Sequence, residues 1–169
     1  MSTPVRAYIG LGSNLADPVQ QVARALDELV AIPQSLLVAR SRLYRSAPLG
    51  PRDQPDYINA VAAIDTQLEA KTLLHHLQHI ERRHGRVRDS ERWGPRTLDL
   101  DLLLYGDEVS SDDELTLPHP GAHERAFVLA PLYAIAPHST IPGKGKVIDL
   151  LEACRSQLIE VVDSAALAR

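Results

Sequence analysis

Arg92-Trp93-Gly94-Pro95-Arg96-Thr97-Leu98-Asp99-Leu100-Asp101-Leu102-Leu103-Leu104-Tyr105-Gly106 is the stretch from which the rest of the chain is read. Leu98, Leu100, Leu102 and Leu104 alternate with Asp99 and Asp101, a period of two that predicts a β-strand with the leucines on one face and both carboxylates on the other. The two aspartate Cα atoms then stand about 6.6 Å apart. Carboxylates held so close repel unless water or a cation lies between them. Hard oxygen ligands fit Mg2+, and the adjacent Arg92 and Arg96 fit phosphate. An Asp-x-Asp pair alone is more often a solvated strand face. The arginines, the tryptophan and the Gly94-Pro95 turn shift the balance, because the parts needed to hold a metal-bound polyphosphate arrive from one short stretch.

Upstream, Ala70 to His84 carries Leu73, Leu74, Leu77 and Ile80 at helical spacing, with Gly85 as its stop. Gln78 and Glu81 lie near one face of that helix, where surface solvation is the commoner explanation. His75 and His79 have a metal-compatible i, i+4 spacing, but His76 stands where the zinc motif needs its glutamate. Tyr57 to Asp65 alternates, with Ile58, Ala60, Ala62 and Ile64 on one face and Tyr57, Asn59, Val61, Ala63 and Asp65 on the other. Ser46 to Asp56, with Pro48, Gly50, Pro51 and Pro55, is a loop, and Leu36 to Tyr44 a strand. Val5 to Leu11 reads as a buried strand ended by Gly12-Ser13-Asn14. Asp17 is the expected N-cap of a helix that begins at Pro18 and stops near Ile32-Pro33.

Downstream, Thr116 to Pro120 is extended or turning. Glu124 to Ile135 has helical spacing that Pro131 should kink or restart. Val147 to Glu160 reads as a terminal helix or a helix plus a short strand. The order β-α-β-β-α-β predicts a ferredoxin-like α+β fold, with helices on one face of an antiparallel sheet. At 169 residues, with no repeat or dividing linker, a single domain over 1–169 is expected.

The net charge of −4, with 44% hydrophobic and 24% charged residues, argues against a disordered chain and against a general polyanion binder. No apolar run reaches membrane-spanning length, and Met1-Ser2-Thr3-Pro4-Val5-Arg6 lacks a signal core, so an unexported, cytoplasmic protein is expected. The lone Cys154 excludes an internal disulfide and reads as a core residue. Three lysines stand against fifteen arginines, six of them between positions 82 and 96. Such a cluster in an acidic protein suits a small phosphorylated ligand better than a nucleic-acid track.

Tyr57 and Asn59 share a strand face, and a ring beside a carboxamide can stack on and hydrogen-bond a flat heterocycle. Core packing of Tyr57 with backbone pairing of Asn59 is the commoner outcome for such a pair. Gly10-Leu11-Gly12-Ser13-Asn14-Leu15 lacks the third glycine of a dinucleotide fingerprint, and no Gly-Lys-Ser/Thr ending occurs, so a nucleotide must be held by other means. As an RNA-binding arm, Arg82 to Arg96 has few stacking partners in a chain with one Trp, one Phe and five Tyr.

Together these residues give the chain a resemblance to the 6-hydroxymethyl-7,8-dihydropterin pyrophosphokinases over about residues 5–137. Besides the Arg92 to Asp101 block it rests on Gly12-Ser13-Asn14-Leu15, Pro48-Leu49-Gly50-Pro51, Gln54-Pro55-Asp56-Tyr57-Ile58-Asn59-Ala60, Gly85-Arg86-Val87-Arg88, Pro118-His119-Pro120 and Arg125-Ala126-Phe127-Val128-Leu129. The resemblance implies transfer of pyrophosphate from ATP to the pterin hydroxymethyl group in folate biosynthesis, with AMP released, and two Mg2+ ions. It implies that Asp99 and Asp101 hold the metals and, with Arg86 and Arg96, carry catalysis. By the same likeness Arg86, Arg88, Arg96, His119 and Arg125 surround the phosphates, and Gln78 and Glu81 serve the nucleotide and pterin sides. Tyr57 and Phe127 would sandwich the pterin, Asn59 would hydrogen-bond it, Gly12, Pro48 and Leu49 would line its slot, and Trp93 would help seal both substrates in. Ser46 to Asp56 and Arg86 to Thr97 are the implied lids.

Departures from the family pattern are Asp89 and Glu114, where some relatives carry basic residues, and Pro120, where some carry tyrosine. The expected partners are ATP and the pterin, handled by a monomer without nucleic acid or membrane. A non-catalytic ferredoxin-like nucleotide- or RNA-binding module is the alternative; it predicts binding that survives loss of Mg2+ and both aspartates. A phosphotransferase moving a single phosphate is a third reading.

Overall fold

The chain runs β1 (Val5–Ser13), α1 (Pro18–Leu29), β2 (Ser35–Arg40), β3 (Tyr44–Ser46), β4 (Tyr57–Thr66), α2 (Ala70–Arg83) and β5 (Asp99–Tyr105), in a computed structural model that describes residues 3–47, 55–85 and 97–162. A small ribbon of β6 (Ser110–Ser111) and β7 (Thr116–Leu117) follows, then a 3-10 turn at Ala122–Glu124 and α3 (Ala126–Ile135). A second ribbon, β8 (Thr140–Ile141) and β9 (Gly145–Lys146), precedes α4 (Val147–Ala153) and β10 (Ile159–Val161). The main sheet is antiparallel in the order β10-β3-β4-β1-β5, with β2 pairing the far half of β4 beyond β3. This is the expected ferredoxin-like α+β architecture.

Alternation sets the two faces of the sheet. Ala7, Ile9, Leu11, Ile58, Ala60, Ala62, Ile64, Leu98, Leu100 and Leu102 meet the apolar stripes of α1 and α2 in one core. The opposite face is also covered, which differs from the one-sided arrangement expected: Val61, Leu103 and Leu104 pack with Leu129 and Leu132 of α3 and Val147 of α4. A sheet apolar on both faces must bury both. Leu104 also departs from expectation, because Ile9 pairs with Leu102 while Tyr8 pairs with Leu104. The extra Leu103 is a bulge that turns Leu104 away from the face of Leu98, Leu100 and Leu102.

Local differences have local causes. Ser41 separates β2 from β3 by exchanging bonds with Val61: its amide donates to the Val61 carbonyl at 2.9 Å and its hydroxyl accepts the Val61 N–H at 2.9 Å. Asp17 is not a side-chain cap, since it takes a left-handed φ of 62° in the turn out of β1; Gln21 donates instead, from its amide to the Asp17 carbonyl and from Nε2 to that of Ala16. Pro131 stands inside α3 without interrupting it. The C-terminal segment is the helix-plus-strand version, and Gly85, at φ 82°, ends α2 as expected. Cys154 is buried in the second core.

Candidate active site

Strand register assembles the site. Asn59, Gly12 and Asp99 stand in one row across β4, β1 and β5, and Val61, Gly10 and Asp101 in the next. The central glycines carry no side chain, and this opens a trough between the flanking rows. A Cβ at Gly12 would stand 3.3 Å from Asn59 Oδ1 and 3.8 Å from Tyr57 Cδ1, and one at Gly10 would stand 3.3 Å from the Leu103 side chain. The trough opens into a cleft of about 730 Å3, solvent at its mouth included, lined among others by Tyr57, Asn59, Asp99, Asp101, Arg125 and Phe127.

The walls of this cleft are fixed by hydrogen bonds. Buried Asn59 donates from Nδ2 to the hydroxyl of buried Ser46 at 2.7 Å, a side-chain partner on β3 rather than the backbone partner considered above. Asn14 donates from Nδ2 to the Pro55 carbonyl at 3.0 Å, which ties the end of β1 to the entry of β4 just before Tyr57. Arg125 lies over Gly121, where a Cβ would come within 2.5 Å of the guanidinium carbon. That carbon is 5.9 Å from the Phe127 ring centroid, within cation–π range.

Among the described residues β5 is a sheet edge, so its aspartates are also reached from beyond that edge. A second cleft of about 690 Å3, open space again included, lies there between α2 and the segment around β7; Gln78, Glu81, Asp99, Asp101, Glu114 and His119 help to line it. Both carboxylates therefore belong to both clefts. Glu81 is only 3% exposed, and its Oε2 accepts the Leu100 amide at 2.8 Å, satisfying a donor that an edge strand otherwise leaves unpaired. Surface solvation, the commoner expectation for that residue, does not apply.

His119 is anchored twice. Its amide donates to the Leu103 carbonyl at 3.0 Å, and its Nδ1 accepts the Gly121 amide at 3.2 Å. The ring proton therefore sits on Nε2, which is 3.8 Å from Asp101 Oδ2. Burial, helped by the Arg125 charge, pushes the imidazole down to about 4, so the ring is neutral at pH 7. On α2, His75 pairs with Glu114.

Gly12, Tyr57, Asn59, Arg125 and Phe127 thus meet in the first cleft, Gln78, Glu81 and His119 in the second, and Asp99 and Asp101 in both. Pro48, Leu49, Arg86, Arg88, Trp93 and Arg96, with most of both implied lids, lie outside the described residues. Gly10, Ser46 and Gly121 were not singled out from sequence. The period of β1 places Gly10 beside Gly12 on the aspartate face; Ser46 meets its partner Asn59 from 13 positions away, while Gly121 meets His119 and Arg125 close by in the chain, in a turn that periodicity does not describe.

Residues 8–137 match the model of the 7,8-dihydro-6-hydroxymethylpterin-pyrophosphokinase (HPPK) family. The chain belongs to the HPPK family. Among its relatives, 2-amino-4-hydroxy-6-hydroxymethyldihydropteridine pyrophosphokinase of Haemophilus influenzae is 49% identical over 148 residues, covering 88% of this chain and 92% of the relative. The enzyme of the same name from Pseudomonas aeruginosa is 49% identical over 160 residues, covering 95% and 98%. The HPPK architecture recurs in a crystal structure of Plasmodium falciparum HPPK-DHPS with pteroate, at a TM-score of 0.71 and 12% identity, over 90% of this chain. This chain spans 41% of that longer one, and the likeness there is one of fold. HPPK membership supports a pyrophosphokinase and gives no support to a non-catalytic RNA-binding module.

Proposed function

We propose that the chain transfers the terminal pyrophosphate of ATP to the hydroxymethyl oxygen of 6-hydroxymethyl-7,8-dihydropterin, a step of folate biosynthesis. One observation carries the reading: a single pair of carboxylates, Asp99 and Asp101, borders two clefts of different character. The first, lined by Tyr57, Phe127 and Asn59, takes the flat pterin; the second takes the nucleotide. The hydroxymethyl oxygen forms a bond to the β-phosphorus, the bond from that phosphorus to the AMP oxygen breaks with its electron pair leaving on AMP, and the hydroxyl proton is released. Because the three atoms must be nearly in line, holding two substrates in fixed register is most of the task.

The residues present fit magnesium. Gly10 and Gly12, the β1 register partners of Asp101 and Asp99, present no side chain to the cleft that both carboxylates line. Among the described residues no cluster of three or more His, Cys, Asp or Glu forms a dedicated metal cage. One or two carboxylates completed by phosphate oxygens and water is the usual magnesium arrangement. Asp99 and Asp101 would hold the Mg2+, two ions in this proposal, whose chemistry is to neutralise charge on the phosphate oxygens.

Tyr57 and Phe127 hold the pterin ring, Asn59 hydrogen-bonds it and Gly12 gives it room. His119, neutral with its proton on Nε2, donates to a phosphate oxygen, and Arg125 offsets phosphate charge from the first cleft. Gln78 contacts the nucleotide, and Glu81 shapes the same cleft while fixing β5. The family likeness adds Arg86, Arg88 and Arg96 at the phosphates, Pro48 and Leu49 at the pterin, and Trp93 closing the site against water. The proposal also comprises a single domain over 1–169 acting as a cytoplasmic monomer on small molecules, without nucleic acid; among the described residues no helix is long and apolar enough to cross a membrane. The test is the product. Purified protein with ATP, Mg2+ and the pterin should yield AMP and pterin diphosphate in equal amounts, and ADP or no turnover overturns the assignment.

A further inference from the structure

We infer that the C-terminal segment Gln157–Val161, beyond the residues 8–137 that match the family model, braces both walls of the pterin cleft, with Gln157 as a positioning residue for Arg125 and Phe127. The inference rests on reading the first cleft as the pterin site. Gln157 bonds the backbone on either side of Arg125: its Oε1 accepts the Ala126 amide at 2.9 Å and its Nε2 donates to the Glu124 carbonyl at 2.8 Å. The Ala126 amide is the first donor of α3, and Arg125, extended at φ −122° and ψ 114°, supplies no side-chain cap of its own. The cap comes from 31 residues further along the chain. It fixes the junction between the 3-10 turn and α3, from which Arg125 and Phe127 reach the cleft.

The opposite wall is held by the same segment. β10 pairs with β3, with Ile159 opposite Ser46, and Ser46 accepts the hydrogen bond that orients Asn59. Two independent contacts therefore run from five consecutive residues to the two sides of one cleft. Gln157 itself is exposed and meets the second core only through backbone groups of Ala126 and Cys154, adding no apolar surface to it, so its loss should move the junction without unfolding the protein.

The test compares wild type, Gln157→Ala and Gln157→Glu, the last keeping the acceptor for Ala126 but losing the donor to Glu124. Direct pterin titration should show about three- to tenfold weaker binding in Gln157→Ala and a smaller loss in Gln157→Glu, with ATP KM changed less than twofold. Hydrogen exchange at the Ala126 amide should quicken in Gln157→Ala and stay slow in Gln157→Glu. Quickened exchange with unchanged pterin affinity would make the cap purely structural and overturn the inference, as would unchanged exchange. If wild type binds no pterin while Ala126 exchange responds as described, the functional reading has failed and the inference with it, although the clamp stands.

Discussion

The buried Glu81 carboxylate accepts the Leu100 amide hydrogen at 2.8 Å, between the two aspartates that line both clefts. A helix thereby fixes the edge strand that presents the carboxylates. Glu81→Ala leaves that amide without its protein partner and should cost about 1–3 kcal/mol of stability, read by urea unfolding. Glu81→Gln keeps an acceptor oxygen and should recover more than half of the loss. Equal stability in all three proteins would show that the bond does not anchor β5.

His119 makes stability depend on pH in the metal-free protein. Its folded pKa of about 4 lies below the ordinary 6.5, so on acidification the unfolded chain takes up the proton first. The contribution is therefore complete above pH 6.5 and is lost as pH falls towards 4, amounting to about 3 kcal/mol at most. Unfolding free energies measured from pH 4.5 to 7.5 should rise with pH more steeply in wild type than in His119→Asn. Parallel curves would place His119 in a solvated setting.

Gly12 should be intolerant of side chains for a functional reason. A Cβ there stands 3.3 Å from Asn59 Oδ1, so Asn59 must give way or the trough must narrow. Gly12→Ala should weaken pterin binding by about 5- to 30-fold, from ~1–2 kcal/mol of crowding, and leave nucleotide affinity within about twofold. Equal loss of both ligands would contradict the division between the clefts.

Asp99→Asn and Asp101→Asn each remove one of two like charges on a shared face, so neither should destabilise the ligand-free fold. Turnover should fall by about 10²- to 10³-fold, the scale of losing one preorganised electrostatic group. Thermal melts and steady-state rates on the same preparations separate the two effects. Undiminished turnover in either variant would remove that carboxylate from catalysis.

What could be read from sequence follows from what periodicity reports. Alternation in β4 and β5 reveals which side chains share a face, so Asp99 with Asp101, and Tyr57 with Asn59, were legible without coordinates. The same pattern missed the Leu103 bulge, because an extra residue is decided by pairing with β1 and not by β5 itself. It also missed the second helical layer, whose need is visible only once Val61, Leu103 and Leu104 are seen to share the other face. Glu81 looked like a surface residue because its partner lies 19 positions away, and the Ser46 hydroxyl that orients Asn59 is 13 positions from it. Contacts of that range leave no local signature.

The most direct test of the central claim, one carboxylate pair joining two substrate clefts through metal, is the anomalous scattering of Mn2+ in crystals grown with a non-hydrolysable ATP analogue and the pterin. The account predicts a manganese peak at about 2.1 Å from an oxygen of Asp99 and an oxygen of Asp101, with nucleotide on one side and pterin on the other. Manganese bound by the triphosphate alone, with both carboxylates outside coordination distance, would contradict it.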